Sequence, residues 1–531
     1  MTARSGALPC AGLLLALTFG LTAEAQRVTT SQYDNARTGA NLVETTLTPR
    51  NVNAQHFGKL FTLKVDGDIY AQPLFLGGVE IPGKGRHDVL FVATEHDTVY
   101  AFDAYGRPSS PLWQVSFLKN GATTVPASDV DCPFIVPEIG ITSTPVIDAD
   151  TGTIYVLVRT RDRSSFLSNN YTQTLHALAI TTGAEKFGGP VEIQAEMSGT
   201  GTGARGGKLE FNPLRENPRS ALLLVHGRVY LTWASSCDVG PYHGWAMAYN
   251  AQSLKREAVF NASPDADDSG IWAGDTGPAA DRDGYVYFAT GNGRFDAARR
   301  GRDYGDTLLK LNGTSLKPAD YFTPYNADAL DASDSDLGSG GPMLLPDQPG
   351  PNPHLAVVAG KGGTIYVVNR DHMGNYRADS DSHAVQTIAN PHGVFGSMAY
   401  WNHSVYVLGD SDALRQFQVK DGKLSPQSAS INTFPGVSAT PTISANGAKD
   451  GIVWILRSKG WNSPDRSAML YAFDATNLSR ELYDSEQISS RDRAGLALRF
   501  NIPTVVNGHV YVGAKREVDV YGLLPAEKAG K

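Results

Sequence analysis

One short apolar phrase recurs eight times along the chain, and this repetition limits the fold more than any other feature. It reads "LFVA" at 90, "IYVL" at 154, "VYLT" at 229, "VYFA" at 286, "IYVV" at 365, "VYVL" at 405, "VWIL" at 453 and "VYVG" at 510. Most copies follow a strand containing small residues and proline, as in "AQPLF" at 71, "STPVI" at 143 and "ATPTI" at 439. Several lead into a third strand, such as "VYAFDA" at 99 or "LYAFDA" at 470. Each unit is therefore a small antiparallel meander.

The mean period is near 60 residues, with turn signals inside each unit and almost no helical periodicity. This matches an all-β protein of radially repeated sheets: an eight-bladed β-propeller with four-stranded antiparallel blades. Seven blades is the alternative count, because the unit around 391–433 is weakly marked. The chain divides into a leader at 1–25, an N-terminal extension at 26–56, the propeller at 57–523 and a tail at 524–531. The stretch "FGKLFTLKV" at 57–65 precedes the first full unit and is expected to join the last blade, closing the ring.

Composition agrees. Glycine (55) and proline (30) are frequent, hydrophobic residues make up 41% and charged residues 19%, as in a turn-rich globular protein. A net charge of −8 without a long basic run argues against nucleic acid or anionic membrane as partner. Arg4, the apolar stretch at 13–23 and "AEA" at 23–25 read as a secretory signal, so we expect a periplasmic or secreted protein. No later stretch is long and apolar enough to predict a membrane span. Beyond Cys10, two cysteines remain, Cys132 and Cys237. In an oxidising compartment they form a disulfide candidate, with two separate buried thiols as the alternative.

Polar residues gather in "SSCDVGPYHGW" (235–245), "SGIWAGDTG" (269–277) and "DASDSDLGSGG" (331–341), and one strand ends abruptly in Gly291-Asn292-Gly293. Insertions on a ring collect on one face, usually the binding face. Asp238, Asn292 and Asp334 are of the types that bind Ca2+, although such residues also cap turns. Trp272 is either a platform for a flat ligand or a packing aromatic. His243 has no nucleophile motif to join it, and without a Cys-x-x-Cys-His motif no covalent haem is expected.

These repeats and loops resemble the quinoprotein alcohol dehydrogenases, exported eight-bladed propellers that hold pyrroloquinoline quinone (PQQ) and Ca2+ in a central funnel. The resemblance spans nearly the whole mature chain. It is closer still to poorly characterised bacterial PQQ-like repeat proteins, through "YDNARTGAN" (33–41), "ATEHDTVYAFDA" (93–104), "GITSTPVID" (140–148), "PYHGW" and "GNGRFD". By this likeness Asn292 stands for the metal-ligating amide and Asp334 for the catalytic aspartate, with Asp336 as the alternate and Ser333 replacing the family's preceding tryptophan. Lys361 in "GKGGTIYVVNRD" stands for the basic residue at the quinone oxygens, and Trp272 for the stacking tryptophan. Asp238 replaces a glutamate metal ligand and His243 an arginine at the cofactor. The family's vicinal disulfide is missing, since the matching "DVDCPFIVPEIG" keeps only Cys132, and a Cys132–Cys237 bridge over the funnel would take its place.

The resemblance implies oxidation of a small alcohol or aldehyde. In it Asp334 takes the hydroxyl proton, Lys361 stabilises developing negative charge and a separate acceptor collects the electrons. The alternative is a non-catalytic propeller that binds a protein or saccharide with its loop-rich face.

Overall fold

The computed structural model describes residue 2 and residues 26–162, 170–436 and 439–525. Most of the leader expected at 1–25, Cys10 included, and most of the tail at 524–531 fall outside these residues. Among those described, the strands form eight blades arranged in a ring. The unit at 391–433 is a full blade of four strands, Ala399–Trp401, Ser404–Leu408, Asp412–Lys420 and Lys423–Phe434, so the count is eight. Helix is confined to short turns such as Ala327–Ala332.

The recurrent phrase forms the second strand of seven blades and, in blade 5, the third, Ile365–Asn369, after Leu355–Ala359. Its residues are buried on both faces because neighbouring blades pack against each other, as where Tyr230, Ala248 and Phe260 of blade 3 meet Val286, Phe288 and Leu309 of blade 4. The phrase favours tyrosine for a further reason. The Tyr155 hydroxyl donates to Ala251 O of the next blade, Tyr230 to Gly313 O, Tyr406 to Ala475 O and Tyr511 to Ala104 O. The aromatic body fills the interface, and its polar tip satisfies a turn carbonyl one blade further round.

Ring closure uses a strand from the start of the chain. Phe57–Lys64 pairs antiparallel with Glu517–Leu523 and forms the outer edge of blade 8, beyond His509–Ala514 and Thr504–Val506. Each blade's edge is therefore supplied within one chain.

The extension before this strand lies inside the ring. Arg27–Val28 pairs with the first strand of blade 1, Leu74–Ile81, and Ala40–Asn41 runs parallel to the first strand of blade 7, Thr442–Asn446. Between them the chain visits the other blades in turn. Thr29 O accepts from Ile147 N of blade 2, and the Asn35 side chain donates to Leu224 O of blade 3. Asn35 O accepts from Ala280 N of blade 4, Ala36 O from Leu344 N of blade 5 and Thr38 O from Tyr400 N of blade 6. The Tyr33 hydroxyl accepts from Val505 N of blade 8. All eight inner strands are thus bonded to one segment, which plugs the axial channel.

Arg37 fixes the plug. It is 0% exposed, and its guanidinium donates to Thr30 Oγ1 and to the carbonyls of Ser31, Pro278 and Leu222. Truncating it leaves those acceptors unpaired in the interior, so Arg37→Ala is expected to cost about 3 kcal/mol or more in denaturant unfolding. A loss below about 1 kcal/mol would mean that the plug does not hold the ring.

Candidate functional site

A cavity of about 420 Å³ opens at one end of the ring. Arg219, Trp272, Gly274, Asp336, Ser339, Phe395, Arg499 and Phe500 in its wall lie just ahead of the first strands of blades 3, 4, 5, 6 and 8. Cys237, Asp238 and Lys361 follow the second strands of blades 3 and 5. The cavity therefore sits where first strands begin and second strands end, and the plug fills the channel beyond it.

Asp238, Trp272, Asp334 and Lys361 share this wall. Asn292 is adjacent to it, with Nδ2 donating to Asp334 Oδ1 at 2.8 Å. The Lys361 ammonium joins two carboxylates, 2.6 Å from Asp334 Oδ1 and 2.6 Å from Asp336 Oδ1. The two acids differ in setting, since the Asp334 side chain is 66% exposed and that of Asp336 only 2%. Burial pushes the Asp336 carboxyl up to about 6, with Lys361 opposing the shift and Asp334 and Asp238 adding to it. Lys361 itself is held above its ordinary range, because the attraction of both carboxylates outweighs its own burial.

Glycines allow this crowding. A side chain on Gly291 would place its Cβ 3.1 Å from both Asp336 Oδ2 and Trp272 Nε1, so the bare backbone lets the indole and the acid close in. Gly293, at φ 145°, turns the chain under the backbone of Ser269. Ser269 N donates to Asn292 O and Gly291 N to Gly270 O, which ties the tryptophan loop to the asparagine loop. The GNG that ends this strand is thus a junction of two loops at the cavity wall.

His243, expected at the cofactor, does not reach the cavity. It is buried, with Nε2 3.0 Å from Thr202 O and Nδ1 3.0 Å from Ser263 O, and burial holds its imidazole below the usual range. Its backbone N–H is taken by Glu216. Besides Lys361, the cationic residues that reach the wall are Arg219 and Arg499, which sequence reasoning missed. Their guanidinium carbons lie 4.3 and 4.8 Å from the centre of the Phe500 ring, and Arg499 also stacks at 4.3 Å on Phe134 and 4.6 Å on Trp461. Phe134 and Phe395 were likewise missed. For Arg219, Phe395 and Arg499 the usable signal was position, immediately ahead of a blade's first strand, rather than local composition.

Cys132 and Cys237 are joined in a disulfide spanning 105 residues, which fastens the loop carrying Phe134 to the one carrying Asp238. Fit to a cofactor can be judged from donor chemistry. The cavity offers an indole face, three cations and a size usual for small-ligand sites, which suits a flat polyanion. Asn292 Oδ1 is buried without a hydrogen-bond partner beside Asp334, and an amide oxygen next to carboxylates suits a hard cation. Among the described residues, no three His, Cys, Asp or Glu side chains are grouped to hold a metal on their own.

Two measurements follow from this geometry. Because folding raises the Asp336 pKa, its contribution to stability is full below about pH 4 and is lost as pH rises through about 6. Asp336→Asn should remove about 2–3 kcal/mol of pH dependence from unfolding measured between pH 4 and 7, and an unchanged pH profile would contradict the burial of this charge. Replacing both Cys132 and Cys237 with serine should cost about 4 kcal/mol by loop entropy, and a double variant as stable as the parent would contradict the bridge.

No protein-family model and no curated protein sequence matches the chain. Solved structures do. A quinohemoprotein alcohol dehydrogenase of Pseudomonas putida HK5 superposes with a TM-score of 0.62 at 14% identity, covering 94% of this chain and 80% of that one. Quinohemoprotein alcohol dehydrogenase from Comamonas testosteroni gives 0.60 at 13% identity, covering 95% and 81%. A europium-containing methanol dehydrogenase gives 0.59 at 12% identity, covering 94% and 98%. At such identities the likeness establishes architecture, and the chain has the eight-bladed propeller fold of the quinoprotein alcohol and methanol dehydrogenases.

Proposed function

We propose that the cavity binds PQQ with Ca2+ and that the protein oxidises a small alcohol or aldehyde. The observation that carries this reading is the convergence of Trp272, Lys361, Asp334, Arg219 and Arg499 on one cavity at the open end of a dehydrogenase-like ring. Trp272 supplies a flat apolar face for a three-ring ligand. Lys361, Arg219 and Arg499 match the charge of its carboxylates. Asp238, Asn292 through its unpartnered Oδ1, and Asp334 are the residues that would hold Ca2+. When bound, the quinone supplies the two-electron acceptor and the cation the Lewis acid.

The chain's own residues manage the proton and the charge. Asp334 is the accessible carboxylate, oriented by the Asn292 amide and the Lys361 ammonium, and it accepts the hydroxyl proton of the substrate. Asp336 stays buried and anchors Lys361, whose one remaining N–H would meet developing negative charge in the cavity. A separate acceptor takes the electrons away. The reading places the protein in the periplasm or outside the cell, supported by the leader-like residues 1–25 and by the Cys132–Cys237 disulfide. Among the described residues no helix is long and apolar enough to cross a membrane.

Adding PQQ and Ca2+ to the purified protein should stabilise it by about 2.7 kcal/mol at a hundredfold excess over Kd, read as a rise in Tm. Trp272→Ala should weaken PQQ binding about tenfold. Asp334→Ala should keep binding and lose about 10²–10⁴ in kcat with a dye acceptor. No Tm shift at saturating PQQ and Ca2+ would overturn the proposal in favour of a non-catalytic binding propeller.

A further inference from the structure

From the loops behind the cavity we infer that Asp306 is a positioning residue, which bonds the backbone just after Asp336 and so holds the Asp336 carboxylate against Lys361. The inference concerns how the site is assembled, and its functional consequence rests on the quinone reading above. Asp336 occupies the N-cap position of the short 3-10 turn Leu337–Ser339. An aspartate there ordinarily turns its carboxylate back onto the N–H groups of the first turn. In this turn it makes no such bond. Its carboxylate lies instead 2.6 Å from Lys361 Nζ, in the cavity wall.

The first N–H of the turn, which a side chain at the N-cap does not reach, is satisfied from another blade. Leu337 N donates to Asp306 Oδ1 at 2.8 Å. Asp306 is 0% exposed and does not line the cavity, so it acts only through its neighbours. Its backbone N–H donates to Gly291 O at 2.9 Å, and its φ of 47° is a left-handed conformation that aspartate adopts more readily than most residues. One residue thus grips the Asn292 loop through its backbone and the Asp336 loop through its side chain. The chain of contacts continues from Lys361 N to Asp336 O and from Gly362 N to Ser335 O. Asn292, Asp334, Asp336 and Lys361 hold one geometry because Asp306 pins two of their three loops together.

Without the Asp306 side chain Leu337 N loses its acceptor and the Asp336 loop its tie to the Asn292 loop, so Asp336 shifts and Lys361 loses one of its two anions. The test is direct. Asp306→Ala should make Lys361 react about fivefold faster with acetic anhydride, read by peptide mass spectrometry, and should weaken PQQ binding about tenfold, the loss expected for one hydrogen bond. Asp306→Asn keeps an acceptor at the same place and should stay within about twofold of the parent in both readings. Asp306→Ser, whose hydroxyl is too short to reach Leu337 N, replaces the alanine variant if that variant does not fold.

Parent-like Lys361 reactivity in a folded alanine or serine variant would overturn the inference. An asparagine variant as impaired as alanine would also overturn it, because charge rather than the hydrogen bond would then be responsible. If the parent protein fails to bind PQQ while the reactivity contrast persists, the quinone reading falls and the role of Asp306 stands.

Discussion

A ring of sheets leaves eight inner backbone edges facing one axial channel, and the rest of this molecule depends on how those edges are satisfied. Unpaired strand edges in an interior are costly and in solvent are liable to wrong pairing. Residues 27–41 meet this demand by bonding in sequence to the first strand of every blade, with Arg37 locked beneath carbonyls from blades 3 and 4. The outer edge is closed by a second N-terminal element, Phe57–Lys64 on blade 8. Both fastenings lie near the start of the chain. The ring therefore becomes complete only when the segment that precedes it has been placed inside it and across its seam.

The same plug decides where chemistry can occur. With the channel filled, the open space left on the axis is a dead-ended cavity, and its wall is built from loops that the ring geometry forces together. Charge is managed by juxtaposition there. Three carboxylates and Lys361 face a second group, in which Arg219 and Arg499 stack on Phe500 and Phe134. Trp272 belongs to the same wall. Buried ions of this kind persist only where partners are fixed, which is why glycines, external caps and a long-range disulfide concentrate around them.

Much of the architecture was readable in the sequence because strands buried on both faces carry an apolar phrase that no loop would tolerate. Tyr155, Tyr230, Tyr406 and Tyr511 mark the blades for a stated reason, the hydrogen bond each sends to its neighbour. The closing strand at 57–65 was legible from its place just ahead of the first full unit. The plug was not, because "SQYDNARTGAN" is as polar as a surface loop and its order comes from partners such as Pro278, Leu222 and Val505 that are distant in sequence. At the cavity, Trp272 and Asp334 stood out through glycine-rich polar loops and Lys361 through the family resemblance, whereas Arg219 and Arg499 lie in connections without such marks. His243 looked accessible beside Pro241 and Gly244, yet Glu216, Thr202 and Ser263 enclose it. Local composition identifies loops, but only the closed ring determines which of them meet.

The central claim is that these loops form one receptacle for a flat, anionic quinone. A crystal structure of the protein soaked with PQQ and Ca2+ tests it most directly. The account predicts the tricyclic ring stacked on the Trp272 indole at about 3.5–4 Å, with Lys361 and at least one of Arg219 and Arg499 at its oxygens. Quinone density elsewhere on the ring, or a cavity that stays empty at saturating quinone, would contradict it.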